Sequence, residues 1–504
     1  MAEITLADPR LSTFTLETLP LLAQLRGQLP GGGPEACLER ARHITTYLRD
    51  LADPQEPKAL RYAKAVRCFL SNKAPRFFDG NLLAGTTTSK RIGVALCPEA
   101  PWSDAAAWAE GSSAPRPGPH RITPDEAEEL TMKLLPFWRG RGLADATGAR
   151  NTSALQVDSH IVLAVDDQAG MASHAVPCLR GVLEHGLARL LRQAAEEEAN
   201  LRRKGQEEAS GAVAAQRAVQ ETLIGLSAYA ANLERFAALL AEGEADSARR
   251  RQFELTADVC AQVPAGPART FREAVNALWL LLIGLQAENL HQIVTPGRLD
   301  QLLYPWYRRD VDRGALSVRE ALELIGCLWL KLNDQAPAGV AACLTHVGTT
   351  TMHPEVTLGG VDREGGDAVN DLTYLMLRAT ELLELPRPIL NVRCHRERTR
   401  EPFGRRLAEV MERTGAVSVF PEDHAAIRGL EDRGFGVEQA RDFAIIGGGS
   451  RRWPGWDRGE GGGPSQDEAG DLAIAVCRKP AQEWRGGLER GWSAFQRQLA
   501  WMTR

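Results

Sequence analysis

The chain has nine cysteines and no C-x-x-C pair. An odd and scattered set (Cys37, Cys68, Cys97, Cys178, Cys260, Cys327, Cys343, Cys394, Cys477) argues against a disulfide framework and a structural zinc site, and for a reducing compartment. A basic excess is also missing: 60 Lys and Arg against 65 Asp and Glu leave a formal charge of −5, without the footprint of a nucleic-acid binder. No basic segment followed by an apolar run opens the sequence, so no secretory signal is read there. The longest apolar stretch, residues 277–285, is far short of the roughly 20 residues that a membrane span needs. The phosphate-cradling G-x-x-x-x-G-K-[ST] loop, the G-x-S-x-G elbow and the H-E-x-x-H zinc motif do not occur, and the ten histidines are scattered. The expectation is a soluble cytoplasmic protein with no metal site, no nucleic-acid partner and no membrane partner.

What is present is an ordinary globular composition, 44% hydrophobic and 25% charged, able to bury large cores. Helices broken by Gly31-Gly32-Gly33-Pro34 are expected over residues 1–60, and a proline-rich connector over 98–124. A charged helical layer follows over 179–255, where Glu198 stands four before Arg202. Thr270-Phe271-Arg272-Glu273 and Ser317-Val318-Arg319-Glu320 carry the capping-box pattern that starts a helix. After the second, Val318, Ala321, Leu322, Ile325, Trp329 and Leu332 form one apolar stripe. After the first, residues 277–283 are apolar all round, which places that helix in the middle of the protein. Beyond 350, strand candidates at 356–358, 389–392 and 417–420 alternate with a helix marked by Leu372, Leu375, Met376, Ala379, Leu382 and Leu383 and another over about 403–413. Such alternation predicts parallel β-α units, hence an α/β fold with a thick helical shell.

One turn is informative. Pro296-Gly297-Arg298-Leu299-Asp300-Gln301 follows the apolar helix and sets a guanidinium and a carboxylate two residues apart. Arg298 and Asp300 are read either as a buried hydrogen-bonded pair that fixes the loop, since a planar guanidinium satisfies several acceptors at once, or as a direct contact to substrate.

The run 271–307, with Glu288-Asn289-Leu290-His291 and then Thr295-Pro296-Gly297-Arg298-Leu299-Asp300-Gln301, resembles the pyruvate formate-lyase-type (PFL) domain of the glycyl radical enzymes. Leu83-Ala84-Gly85 through Pro98-Glu99, Ser159-His160-Ile161-Val162, Val356-Thr357-Leu358-Gly359-Gly360-Val361-Asp362 and Arg441-Asp442-Phe443-Ala444-Ile445-Ile446-Gly447 extend the likeness, in order, over 1–447. The resemblance implies an incomplete PFL-like domain over 1–447: the first half of a ten-stranded α/β barrel whose centre receives a cysteine on one loop and a glycine on another. It implies a protein glycyl radical, installed by a separate activating enzyme that uses S-adenosylmethionine and an iron–sulfur cluster, and no cofactor bound to the chain itself. It also implies a homodimer, a small-molecule substrate, and cleavage of C–C, C–O or C–N bonds in anaerobic metabolism. In several branches a glutamate two after the cysteine handles the proton. His160 matches without a shift and His291 with a shift of one residue; both are substrate-pocket candidates. Pro296, Gly297, Arg298 and Asp300 are the structural motif.

At 447 the pattern breaks. Where the family continues Cys-Val-Glu, this chain has Gly448-Gly449-Ser450, so Gly448 stands at the cysteine position and Ser450 at the glutamate position. Glycine has no sulfur, and serine is no base near neutral pH. The Arg-Val-x-Gly-Tyr signature of the radical glycine is missing too, since none of the six tyrosines follows a glycine. No catalytic residue is assigned; Cys394 does not match the thiyl position, and Cys327 and Cys343 read as small buried groups. Residues 448–504 read as an aberrant Gly/Arg/Trp-rich tail outside the fold: 12 of the 47 glycines and five of the 11 tryptophans lie between Gly447 and Arg504. A reading-frame shift is the expected cause of both features: Gly449-Ser450-Arg451, if encoded GGG-TCG-AGG, reads GTC-GAG, Val-Glu, in the neighbouring frame. The expectation is a lyase or transferase chain, truncated or frameshifted, inactive alone and in need of a partner. The alternative is a non-catalytic or split-subunit partner of a radical-bearing chain.

Overall fold

The computed structural model describes residues 11, 13–30, 34–78, 80–99, 121–141, 176–206, 211–288, 295–336, 354–432, 434–446 and 450–452. In chain order the described strands are β1 (Glu35–Cys37), β2 (Gly93–Ala95), β3 (Gly297–Arg298), β4 (Gln335–Ala336), β5 (Glu355–Gly359), β6 (Ile389–Arg393), β7 (Val417–Phe420), β8 (Ala444–Ile446) and β9 (Ser450–Arg452). They form a parallel sheet β1-β2-β4, a parallel sheet β3-β5-β6-β7, and an antiparallel pair β8-β9. The fold is α/β, as expected.

Helix Asp371–Leu383 joins β5 to β6, and helix Glu401–Thr414 joins β6 to β7. These are the β-α units that the alternating texture predicts, with Asn370 capping the first by accepting from the Leu372 and Thr373 amides. Val356, Leu358, Leu390 and Val392 enter the main core with Leu375, Met376, Phe403 and Leu407. Strand alternation therefore sends Glu355, Thr357, Asn391 and Arg393 to the opposite face. All five residues of β5 are buried, as a parallel sheet covered on both sides requires. Its second face, however, is polar, and that face carries the site.

Helix Phe271–Glu288 sits in the centre: only Arg272 and Gln286 escape full burial. Trp279 Nε1 and Lys331 Nζ both donate to the Gly85 carbonyl, tying this helix to its neighbours. The second capping box is complete, with Ser317 and Glu320 exchanging both bonds. The first is half made. The Glu273 amide donates to Thr270 Oγ1, but the Glu273 carboxylate takes the Arg269 amide and guanidinium instead, because a charged donor one residue upstream outcompetes a neutral amide. In the helical layer, Glu198 meets Arg202 at 3.0 Å, and helix Gly211–Gly243 packs between Lys58–Asn72 and Ser247–Gln262. No described helix is long and apolar enough to cross a membrane.

Two expectations need correction. Residues 1–60 are not purely helical: β1 intervenes, its Glu35 amide donating to the Ile92 carbonyl and its Ala36 amide to the Arg121 carbonyl. A three-residue strand is too short to show a period, so only tertiary pairing defines it. The tail is not wholly outside the fold either, since Ser450 pairs with Ile446 and Arg452 with Ala444. Residues 453–504 lie outside the described residues.

Candidate active-site face

The polar face of β3-β5-β6 is organised around Arg393, whose side chain is fully buried. Its guanidinium grips Asp423 through Nε (2.6 Å) and Nη2 (3.2 Å) and donates Nη1 to the Phe443 carbonyl (2.7 Å). Its Cζ lies 3.7 Å from the centre of the Phe443 ring. Burial, and then the charge of Arg298, pull the guanidinium down to about 10 against the attraction of Asp423. The path of Arg393 explains two neighbouring glycines. A Cβ on Gly360 would meet Arg393 Nε at 2.8 Å, and one on Gly359 would meet the Arg393 carbonyl oxygen at 2.9 Å. Both glycines also hold positive φ, +80° at Gly360 and +68° at Gly359, where an L side chain is strained.

Arg298 is nearly buried and fans out over the same corner. Nη2 donates to the carbonyls of Gly359 and Val361, both at 2.8 Å, and Nη1 to the Arg441 carbonyl and Asp442 Oδ1, both at 3.1 Å. Asp300 is fully buried and accepts at Oδ2 from the Gly359 amide (2.8 Å) and Thr373 Oγ1 (2.7 Å). Burial pushes its carboxyl above the usual carboxylate range, against the nearby Arg298 charge. The expected mutual hydrogen bond is therefore not made. Arg298 and Asp300 each bond Gly359 separately, one at its carbonyl and one at its amide, and so pin β3 to the end of β5. Gly297, at φ +84°, makes the turn that presents them, and Pro296 before it is buried.

Residues 441–446 cross this face. Thr357 Oγ1 accepts from the Ile445 amide (2.9 Å) and donates to the Ile445 carbonyl (3.3 Å). Asn391 Nδ2 donates to the same carbonyl (3.5 Å) and to Glu355 Oε2 (2.5 Å). Burial raises the Glu355 carboxyl, and the Asn391 hydrogen bond only partly opposes it. The face thus offers a buried carboxyl that favours its protonated form, a hydroxyl and an amide, beside an apolar core. Within the chain these groups are spent on the segment 441–446, which covers the face and keeps it dry.

His160, His291 and Gly448 lie outside the described residues, as does Cys343; Ser450 opens β9. Cys327 is fully buried, and Cys394, after β6, has its thiol pushed up to about 11 by burial and by the charges of Asp423 and Asp367. Among the described residues no group of three or more His, Cys, Asp or Glu is arranged to hold a metal ion. Sequence reading missed Glu355, Thr357, Asn391, Arg393 and Asp423. The signal was the polar–apolar alternation of Glu355-Val356-Thr357-Leu358 and Asn391-Val392-Arg393, on strands otherwise placed in the interior.

The family model described as pyruvate formate lyase-like matches residues 20–457. Isethionate sulfite-lyase of Nitratidesulfovibrio vulgaris is 30% identical over 470 residues, covering 88% of this chain and 54% of that protein. Trans-4-hydroxy-L-proline dehydratase of Clostridioides difficile is 35% identical over 204 residues, 40% of this chain and 26% of that protein. A solved structure concerned with 1,2-propanediol dehydration in Roseburia inulinivorans superposes with a TM-score of 0.78 at 26% identity, covering 91% of this chain and 56% of that one. The chain spans about half the length of the curated relatives it matches.

Proposed function

Because this chain belongs to the pyruvate formate lyase-like family of glycyl radical enzymes, we propose that it supplies the first-half barrel of a lyase acting on a small hydroxylated metabolite and is inactive by itself. The likeness across residues 20–457 supports this reading, together with the glycine at 448, where the sequence resemblance expects the thiol. The dehydratase and sulfite-lyase relatives favour bond cleavage next to a hydroxyl-bearing carbon over acyl transfer. A neighbouring-frame Val-Glu after position 448, if the gene encodes one, would agree with that branch. In this reading the radical S-adenosylmethionine enzyme is a partner of the intact protein, which works as a homodimer in an anaerobic cytoplasm. The chain's own polar face holds the substrate's neighbourhood dry and fixes the crossing segment; no described cysteine takes the place of the missing thiol.

A split-subunit role is the second reading. It is favoured by β7, which pairs only with β6 among the described strands and so offers an open edge to a complementary chain.

The test has two arms. Genomic DNA after the Ile446 codon is resequenced and read in all three frames, with a Val-Glu continuation in a shifted frame as the expected result. The purified chain is then incubated anaerobically with a radical S-adenosylmethionine activating enzyme and isethionate, trans-4-hydroxy-L-proline or 1,2-propanediol. No turnover and no organic radical in the electron paramagnetic resonance spectrum are expected; either one from this chain alone overturns the proposal.

A further inference from the structure

The crossing segment is held by a pattern that concerns its main chain. The Arg441 carbonyl accepts from Arg298, the Phe443 carbonyl from Arg393, and the Ile445 carbonyl from Thr357 and Asn391. Arg441 ends the helix Val437–Arg441 and Asp442 turns the chain, so the Arg441 carbonyl is held just ahead of the strand, while Phe443 and Ile445 are alternate residues leading into and along it. Their partners come from three successive strands of one sheet, β3, β5 and β6. Thr357 does more than the others, because it also accepts the Ile445 amide and so occupies both main-chain groups of one residue. The opposite edge of the segment is taken by β9, in register Ile446 to Ser450 and Ala444 to Arg452. In an antiparallel ladder, residues alternate between those that bond the partner strand and those that point away, and Ile445 is the residue left for Thr357.

We propose that Thr357 is a positioning residue: it sets the register of the strand 444–446 on the sheet, with Arg393 and Arg298 as guides upstream. The proposal deepens the function proposed above, because in an intact enzyme this strand leads to the position of the reacting thiol, and a misplacement of about 1 Å at such a centre costs on the order of a hundredfold in rate. The device acts through carbonyls and an amide. It is therefore indifferent to the side chain that follows at 448, and it persists here although the cysteine is missing.

Hydrogen exchange with residue-level mass spectrometry on the full chain tests this. In Thr357→Val, a close match in shape that loses both bonds, the Ile445 amide is expected to exchange about tenfold faster, the equivalent of one hydrogen bond. Protection in helices Asp371–Leu383 and Phe271–Glu288 stays within twofold, and Thr357→Ser restores Ile445. An Ile445 rate unchanged in Thr357→Val, or a loss of protection spread equally over both helices, overturns the assignment. The readout needs no catalysis, so activity found in the isolated chain would remove the function proposed above and leave this result standing.

Discussion

Gly360 has no side chain because Arg393 fills the space where one would begin. Gly360→Ala is expected to cost about 3 kcal/mol, combining a strained φ with displacement of a buried guanidinium; urea unfolding of the purified chain measures it, against Gly415→Ala as a variant with positive φ and open space. Glu355 gives a pH-dependent case. Its folded pKa is raised above the ordinary 4.5 by burial, so the fold favours the protonated carboxyl. That contribution is complete below about 4.5 and is lost as pH rises through the folded value. Glu355→Gln keeps an acceptor for Asn391 without a buried charge, and is expected to melt above the parent at pH 8 and together with it at pH 4, as thermal scans at the two values would show. At this scale the sequence exposed Gly297, Arg298 and Asp300, which stand in a compact local motif. It did not expose Asp423, which meets Arg393 only across two strand ends.

The elements follow from local signals where those signals are reciprocal. Ser317 and Glu320 satisfy each other's orphan amides, so that helix start is legible from four letters; Ser317→Ala is expected to cost about 1 kcal/mol in chemical denaturation. Thr270 and Glu273 share the same letters, yet Arg269 diverts the carboxylate. A capping motif read without its upstream neighbour thus overstates the box. Strands β5, β6 and β7 were legible because apolar residues on their core side alternate with turn residues and helices. Strands β1 and β4, of three and two residues, carry no period and exist only because β2 lies between them.

For the whole molecule, the edge of β7 that no other described strand pairs predicts self-association. Sedimentation velocity is expected to show concentration-dependent species, reduced in Ser418→Lys, which sets a charge on that edge; a monomer at all concentrations would contradict this. By itself the sequence determined the α/β class, the central buried helix, the β-α order beyond residue 350 and the family likeness, because each rests on contacts or periods within a few dozen residues. Only the tertiary structure decided that Arg298 and Asp300 serve Gly359 rather than each other, that Arg393 dictates a Gly-Gly pair, and that Thr357 holds Ile445. Those contacts join residues 33 to 88 positions apart, and a side chain's choice among distant acceptors is made by the packing that brings them within reach.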